Sequence, residues 1–407
     1  MANLKYFFPD SQDFVDPSFD FLTETRNEHR VRQRDDHYPH EIFERPYDGI
    51  LVSKAIVDGL RGSAGKYTQA QRRRFYREQI RSFFRLPDTY QTMGDCGAFT
   101  YADMYMPPYS VSDVVEFYEK SGFDYGISLD HIVFAFETPK SKVQGAELEE
   151  CFRRQNLTLE YAEIFLAKSK DKHYRPMGVA HGWNPASYRD AVEKLIGIGY
   201  EYITLGGMVP LKTKQILAVL KAVSEARQPN TKFHLLGISR LDNIEAFEKY
   251  GVASIDSTTP LRQAFKDDKK NYHRGGVEYF TALRIPQIDA NFTMSRKIRS
   301  GEVDQDEARC LEQTALKAVR GFASHTVDIE DALKALIDYE SLYSGNGDKY
   351  RDEYRRTLES RPWESCNCEI CRKIGVEVIL FRGSERNKRR GFHNINALYH
   401  RLHNAEQ

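Results

Sequence analysis

Cys366, Cys368 and Cys371 stand within six residues, and three histidines follow them, His393, His400 and His403. Crowded thiols with a downstream imidazole are soft-metal ligands. Three cysteines and one histidine close a tetrahedron and leave no open position. Such a metal holds structure rather than performing chemistry. The other cysteines, Cys96, Cys151 and Cys310, are scattered, so the six do not make a disulfide framework. A second set of reactive side chains lies upstream. Asp95, Asp130, His181 and Asp256, together with the pair Gly206-Gly207, each fall at or near the end of a β-rich run. An aspartate at a strand end is often an N-cap for the next helix. Three carboxylates and an imidazole converging on one point would instead serve nucleophilic attack and proton transfer.

The elements that would bring them together follow a rhythm. Short β-rich runs occur at 48–57, 89–99, 125–134, 175–183, 202–208, 232–239 and 251–260. Amphipathic helical stretches separate them, among them 145–169, 184–199 and 209–226. In the last of these Ile216, Val219, Leu220 and Val223 share one face. Strand–helix alternation at this spacing predicts a parallel sheet with crossover helices, an α/β chain. Seven runs in about 210 residues predict a (β/α)8 TIM barrel. No GxGxxG follows the first run, which speaks against dinucleotide binding. The eighth strand is assigned to 277–285 or 376–383, with helices over 300–345. The expected organisation is an N-terminal arm (1–47), a barrel carrying the site (48–345) and a metal-binding C-terminal subdomain (346–407). In a barrel, chemistry sits at the C-terminal strand ends, where the aspartates fall.

Bulk properties narrow the class. The chain has 407 residues, 41% of them hydrophobic, enough for a large core. Its 59 basic and 59 acidic residues cancel, so only local clusters speak about partners. No apolar run is long enough for a membrane span, and no signal core follows the first lysine; a cytoplasmic protein is expected.

Taken together, the strand-end segments resemble the tRNA-guanine transglycosylase superfamily over about residues 48–403. "GDCGAF" (94–99) is similar to its "DSGGF", "SLDHI" (128–132) to "FDEC", "VAHG" (179–182) to "VQG", and "SIDSTTPLR" (254–262) to "FDCVxPTR"; "LGG" (205–207) matches. "CNCEIC" with the later His-Asn matches its zinc signature, which selects His393 over His400 and His403. The run from "RPWESCNCEIC" to "GFHN" resembles most closely the DNA-modifying, DpdA-like branch. That resemblance implies exchange of guanine in DNA for a 7-deazaguanine, 7-cyano-7-deazaguanine. It also implies structural Zn2+ on Cys366, Cys368, Cys371 and His393. Double-stranded DNA and the free base become the expected partners, and DpdA-like systems suggest an ATPase subunit.

Base exchange through a covalent sugar–enzyme bond needs a nucleophile for C1′ and a second carboxyl group to move a proton. By resemblance Asp256 is the nucleophile and Asp95 the acid/base. Asp130 suits the N1–H and amine edge of the purine. The backbone of Gly206 and Gly207 can approach the base, Phe99 can stack on it, and Met208 can form another wall. His181 replaces the family glutamine, Ala98 a glycine and Cys96 a serine. Cys96 is expected as a small pocket wall rather than a nucleophile.

Two basic stretches are candidate phosphate contacts. One is Arg382, Arg386, Lys388, Arg389 and Arg390, in a segment read as a loop pinned by the metal. The other is Arg74, Arg77 and Arg81, with Arg85, on one face of a helix. Arg262, after the nucleophile segment, is a further candidate. The competing functions are a tRNA-acting transglycosylase, a silent nucleic-acid-binding subunit and a zinc hydrolase. The Asp95/Asp256 pair argues against the second, and the closed ligand set against the third. The chain shows no obvious appended RNA-binding domain, which favours DNA over tRNA.

Overall fold

The structure, a computed structural model, describes residues 4–10, 12–60, 65–240, 243–290 and 292–403. Eight parallel strands close a barrel in chain order. They are β1 (Lys5–Pro9), β2 (Gly49–Ser53), β3 (Gln91–Asp95), β4 (Tyr125–Ile127), β5 (Arg175–Ala180), β6 (Tyr202–Leu205), β7 (Lys232–Leu235) and β8 (Val252–Asp256). All seven expected runs contain one of these strands. The missing strand is β1, which pairs with β2 on one side and β8 on the other, with Phe7 opposite both Gly49 and Asp256. It lies inside the segment read as an arm. Its five residues end in a proline, and among the described residues no α-helix separates them from β2, so no alternation marks them.

Inward-facing side chains fill the barrel. Phe7, Leu51, Met93, Ile127, Met177, Val179 and Tyr202 form one buried cluster. Helix signals in the sequence are met where they are strongest. Asn184 caps Pro185–Ile198 by accepting from the Ser187 amide, with Pro185 in the first turn where no N–H is needed. Thr213–Ala226 buries Ile216, Val219, Leu220 and Val223, the face that the spacing predicts.

The chain divides into two compact units, Met1–Gln12 with Tyr47–Thr258, and Asp13–Pro46 with Thr259–Gln407. The division falls just after β8 rather than near residue 345. Helices Gln305–Ala323 and Ile329–Ser344 follow the barrel in sequence, but they belong to the second unit. Both segments proposed for the eighth strand also lie there. Residues 278–280 pair antiparallel with 272–274, and 283–284 pair parallel with 380–381. The segment 13–46 is not a free arm either: Phe14, Asp16 and Asp36 are buried within that unit. Among the described residues, no helix is long and apolar enough to cross a membrane.

Candidate functional site

The C-terminal ends of the barrel strands gather the acidic residues. Asp95 is the last residue of β3, Asp256 the last of β8, and Asp130 lies three residues beyond β4. All three are buried. Asp95 Oδ2 accepts from the Ser53 hydroxyl at 2.8 Å and from the Gly97 amide at 2.9 Å. Burial, then the charge of Asp130 and more weakly that of Asp256, push the Asp95 carboxyl up to about 7, against the two hydrogen bonds. Among the described residues its Oδ1 accepts nothing.

Asp256 is held differently. Its Oδ1 accepts from the Gly237 amide at 2.8 Å and faces His234 Nε2 at 3.1 Å. His234 Nδ1 lies 2.6 Å from Ser254 Oγ, and that oxygen lies 2.6 Å from the Tyr202 hydroxyl. Gly237 has φ +76°, so an L-residue there would strain the turn that aims its N–H at the carboxylate. Asp256 Oδ2 accepts no hydrogen bond among the described residues. His234, Ser53, Ser254 and Gly237 are absent from the sequence-based set. The signal for His234 was a histidine within the apolar run 232–239, level with Ser254 across the β7–β8 ladder.

Asp130 pairs with His181, Oδ2 to Nε2 at 2.8 Å, and the imidazole is almost fully buried. His181 thus holds the Asp130 carboxylate through Nε2, while its Nδ1 has no hydrogen-bond partner among the described residues. A Cβ at Gly206 would lie 2.4 Å from His181 Cε1, and one at Gly207, where φ is +72°, 2.6 Å from the Val133 carbonyl oxygen. Gly206 thus makes room for the histidine, and Gly207 for the Val133 carbonyl, reasons for them that the sequence did not offer.

Phe99 is half-exposed, and its ring lies 5.7 Å from that of Phe134, which is also exposed. It retains a face for stacking. Met208 and Cys96 are both fully buried, so neither forms an open pocket wall. The Cys96 thiol sits 3.6 Å from the Ser128 carbonyl, and burial followed by the charges of Asp95 and Asp130 pushes it well up. A thiol kept protonated is no nucleophile.

In the second unit Cys366, Cys368, Cys371 and His393 place their donor atoms within 4.8 Å of one another. His393 Nδ1 lies 3.8, 3.4 and 3.5 Å from the three sulfurs. A tetrahedral ion with bonds of about 2.3 Å to sulfur and 2.0 Å to nitrogen would set that edge at about 3.5 Å. His393 Nε2 donates to the His273 carbonyl at 2.7 Å, which fixes the tautomer that leaves Nδ1 as a ligand. Tyr272 stacks on the imidazole at 4.0 Å. This buried group can hold a metal ion. His393 sits inside a helix, Gly383–Leu402, and does not directly follow a strand.

The basic stretches depart from expectation. The segment 382–390 enters that helix instead of forming a loop, and Arg382, Arg386, Arg389 and Arg390 are buried. Arg382 pairs with Glu24 and Glu312, and Arg386 with Glu24 and Glu377. Arg389 pairs with Glu385. Arg390 donates to the carbonyls of Ala264, Val378 and Leu380. Lys388 donates to the Phe14 carbonyl at 3.2 Å. These groups are committed to the interior and are not phosphate contacts. In the helix Gln69–Phe84, Gln79 has φ +61° and breaks the assumed common face. Arg74 and Arg77 both pair with Glu78. Arg81 bonds Asp124 and the Tyr90 carbonyl, before β4 and β3, so it lies at the barrel end opposite Asp95. Arg77 and Arg262 remain exposed.

No family model matches the sequence. Among curated proteins, the chain is similar to one from Salmonella montevideo named DNA-guanine transglycosylase. The two are 58% identical over 404 residues, which cover 99% of this chain and 97% of the relative.

Proposed function

The chain belongs to the DNA-guanine transglycosylase family, and on that premise we propose that it replaces guanine in DNA with a 7-deazaguanine base, 7-cyano-7-deazaguanine, through a covalent bond from Asp256 to C1′ of deoxyribose. The polymer is DNA rather than tRNA. The observation that carries the mechanism is the contrast between two carboxyl groups at one barrel mouth. Asp256 Oδ1 is held by the Gly237 amide and His234, which leaves Oδ2 for C1′. Asp95 is buried and drawn up to about 7, which suits a group that both gives and takes a proton near neutrality.

In the first half, an Asp256 oxygen bonds to C1′ and the bond from C1′ to the base breaks. Guanine leaves with the electron pair and takes one proton from Asp95. In the second half, the incoming base gives a proton to Asp95 and bonds to C1′, and the ester to Asp256 breaks. Asp130, held by His181, receives the N1–H and amine edge of each base. Phe99 stacks on the base face. Extracting a paired guanine costs a few kcal/mol, and an ATPase partner subunit would act at that step. Arg77 and Arg262 remain as phosphate contacts. The reading is tested by digesting DNA and tRNA from cells that express the protein and supply the free base. A deazaguanine nucleoside is expected in DNA; finding it in tRNA alone would overturn the assignment.

The Asp95 position predicts opposite pH limbs for the two halves. Adduct formation needs the protonated carboxyl and is expected to fall as pH rises through about 7. Adduct breakdown by incoming base needs the ionised form and is expected to rise over the same interval. Rapid-quench measurement of each half-reaction from pH 5.5 to 8.5 checks this. Parallel limbs would assign the proton to another group.

Cys366, Cys368, Cys371 and His393 would bind Zn2+ as a structural ion. Bound there, zinc would cross-link the start of helix Glu369–Ile374 to helix Gly383–Leu402, and it enters no step of the exchange. Cys368→Ser is expected to release metal and lower the melting temperature, with activity failing as a consequence; Cys368 also caps its helix by accepting from the Cys371 amide. Metal content and melting temperature check this together. A variant with full metal, native melting and no turnover would contradict a structural role.

A further inference from the structure

His234 has no part in the exchange as described above. It is fully buried, yet both ring nitrogens are engaged, one by the Asp256 carboxylate and one by Ser254. An ionised carboxylate only accepts, so Nε2 carries the hydrogen toward Asp256. Nδ1 then accepts from the Ser254 hydroxyl, and Ser254 Oγ accepts from Tyr202. Burial pushes the Tyr202 phenol well up, so it remains a donor. One orientation of hydrogens thus satisfies the whole chain from Tyr202 to Asp256. The Phe7 ring stands edge-on to the imidazole, 6.3 Å away at 82°.

We propose that His234 is a positioning residue that, with the Gly237 amide, reserves Asp256 Oδ1 as the non-attacking oxygen, leaves Oδ2 to bond C1′, and favours return of the carboxylate when the ester breaks. The proposal rests on Asp256 being the nucleophile. Among the described residues both donors converge on Oδ1 and none reaches Oδ2. In the adduct, Oδ2 is esterified and Oδ1 is the carbonyl oxygen. Donors on Oδ1 stabilise the carboxylate more than the neutral ester. Removing one therefore retards the second half, in which the incoming base forms its bond to C1′ and Asp256 departs with the electron pair of the C1′–Oδ2 bond.

The test isolates that step. Adduct formed with guanine-containing DNA is chased with free 7-cyano-7-deazaguanine and its decay followed by denaturing electrophoresis. His234→Leu is expected to slow decay by about 10²-fold, the effect of losing one such donor, so adduct accumulates at steady state. His234→Gln, whose amide can replace Nε2–H, is expected to stay within about tenfold of wild type. Ser254→Ala keeps the imidazole but removes the donor to Nδ1, and is expected to slow decay about fivefold, the worth of one neutral hydrogen bond. Melting temperature and DNA affinity identify variants that are merely misfolded, and Ser254→Ala then decides alone. Wild-type decay in His234→Leu, or glutamine no better than leucine, would overturn the proposal. An adduct formed by Asp256→Asn would instead overturn the nucleophile on which it rests.

Discussion

Asp256→Asn is expected to form no covalent complex with guanine-containing DNA, whatever base is supplied, and to lose turnover by on the order of 10⁴-fold or more. The amide is no nucleophile toward C1′. Its oxygen still accepts from Gly237 and His234, so the barrel mouth should keep its shape. Asp95→Asn gives a different defect. The nucleophile remains, but no proton reaches the departing guanine, so the adduct forms slowly. Denaturing electrophoresis of both variants, with and without free base, separates the roles. A covalent complex with Asp256→Asn, or its loss only when Asp130 is changed, would move the nucleophile to another carboxylate.

Arg386→Met is expected to cost about 3–5 kcal/mol, the usual penalty for leaving buried charge unpaired. Arg386 is 1% exposed, bonds Glu24 and Glu377 at 2.6 Å each, and donates to the Phe21 carbonyl at 2.7 Å. Methionine fills the stem but leaves both glutamates without that partner. Partial burial opposes ionisation of Glu24, but the hydrogen bonds of Arg382 and Gln287 and the charges of Arg382 and Arg386 outweigh it and hold the carboxyl at about 2. The stability it supplies is therefore present above its ordinary range, near 4.5, and is lost as pH falls through about 2. Urea unfolding measures the cost. DNA binding by folded variant should keep its salt dependence, since each lost phosphate contact would flatten the log–log slope by about 0.9. Wild-type stability with a flatter slope would return this helix to the DNA interface.

The alternation of β-rich runs and helical stretches was sufficient to predict a barrel, the residues at the strand ends three carboxylates at its mouth, and the crowded cysteines a Cys3His group. β-rich runs and helical faces are local properties, and each ligand or strand end keeps its place in the linear order. Four things depended on the tertiary structure. The first strand, Lys5–Pro9, has little local signal, because its identity as a strand comes from pairing with residues 49–51 and 254–256. The arginine run 382–390 reads as a DNA-binding loop until the acids that neutralise it are seen: Glu377 and Glu385 close by, and Glu24 and Glu312 far away in sequence. A charged side chain carries no record of where its counter-charge lies. His181 reads only as a contact to the base until its Nε2 is seen on the Asp130 carboxylate and its ring against Gly206. His234 reads as one histidine in a buried strand until the barrel closes and sets it against Asp256. Sequence determines which groups exist and which local element each occupies; burial, charge pairing and the free face of a side chain are relations across the fold, and only the packed chain decides them.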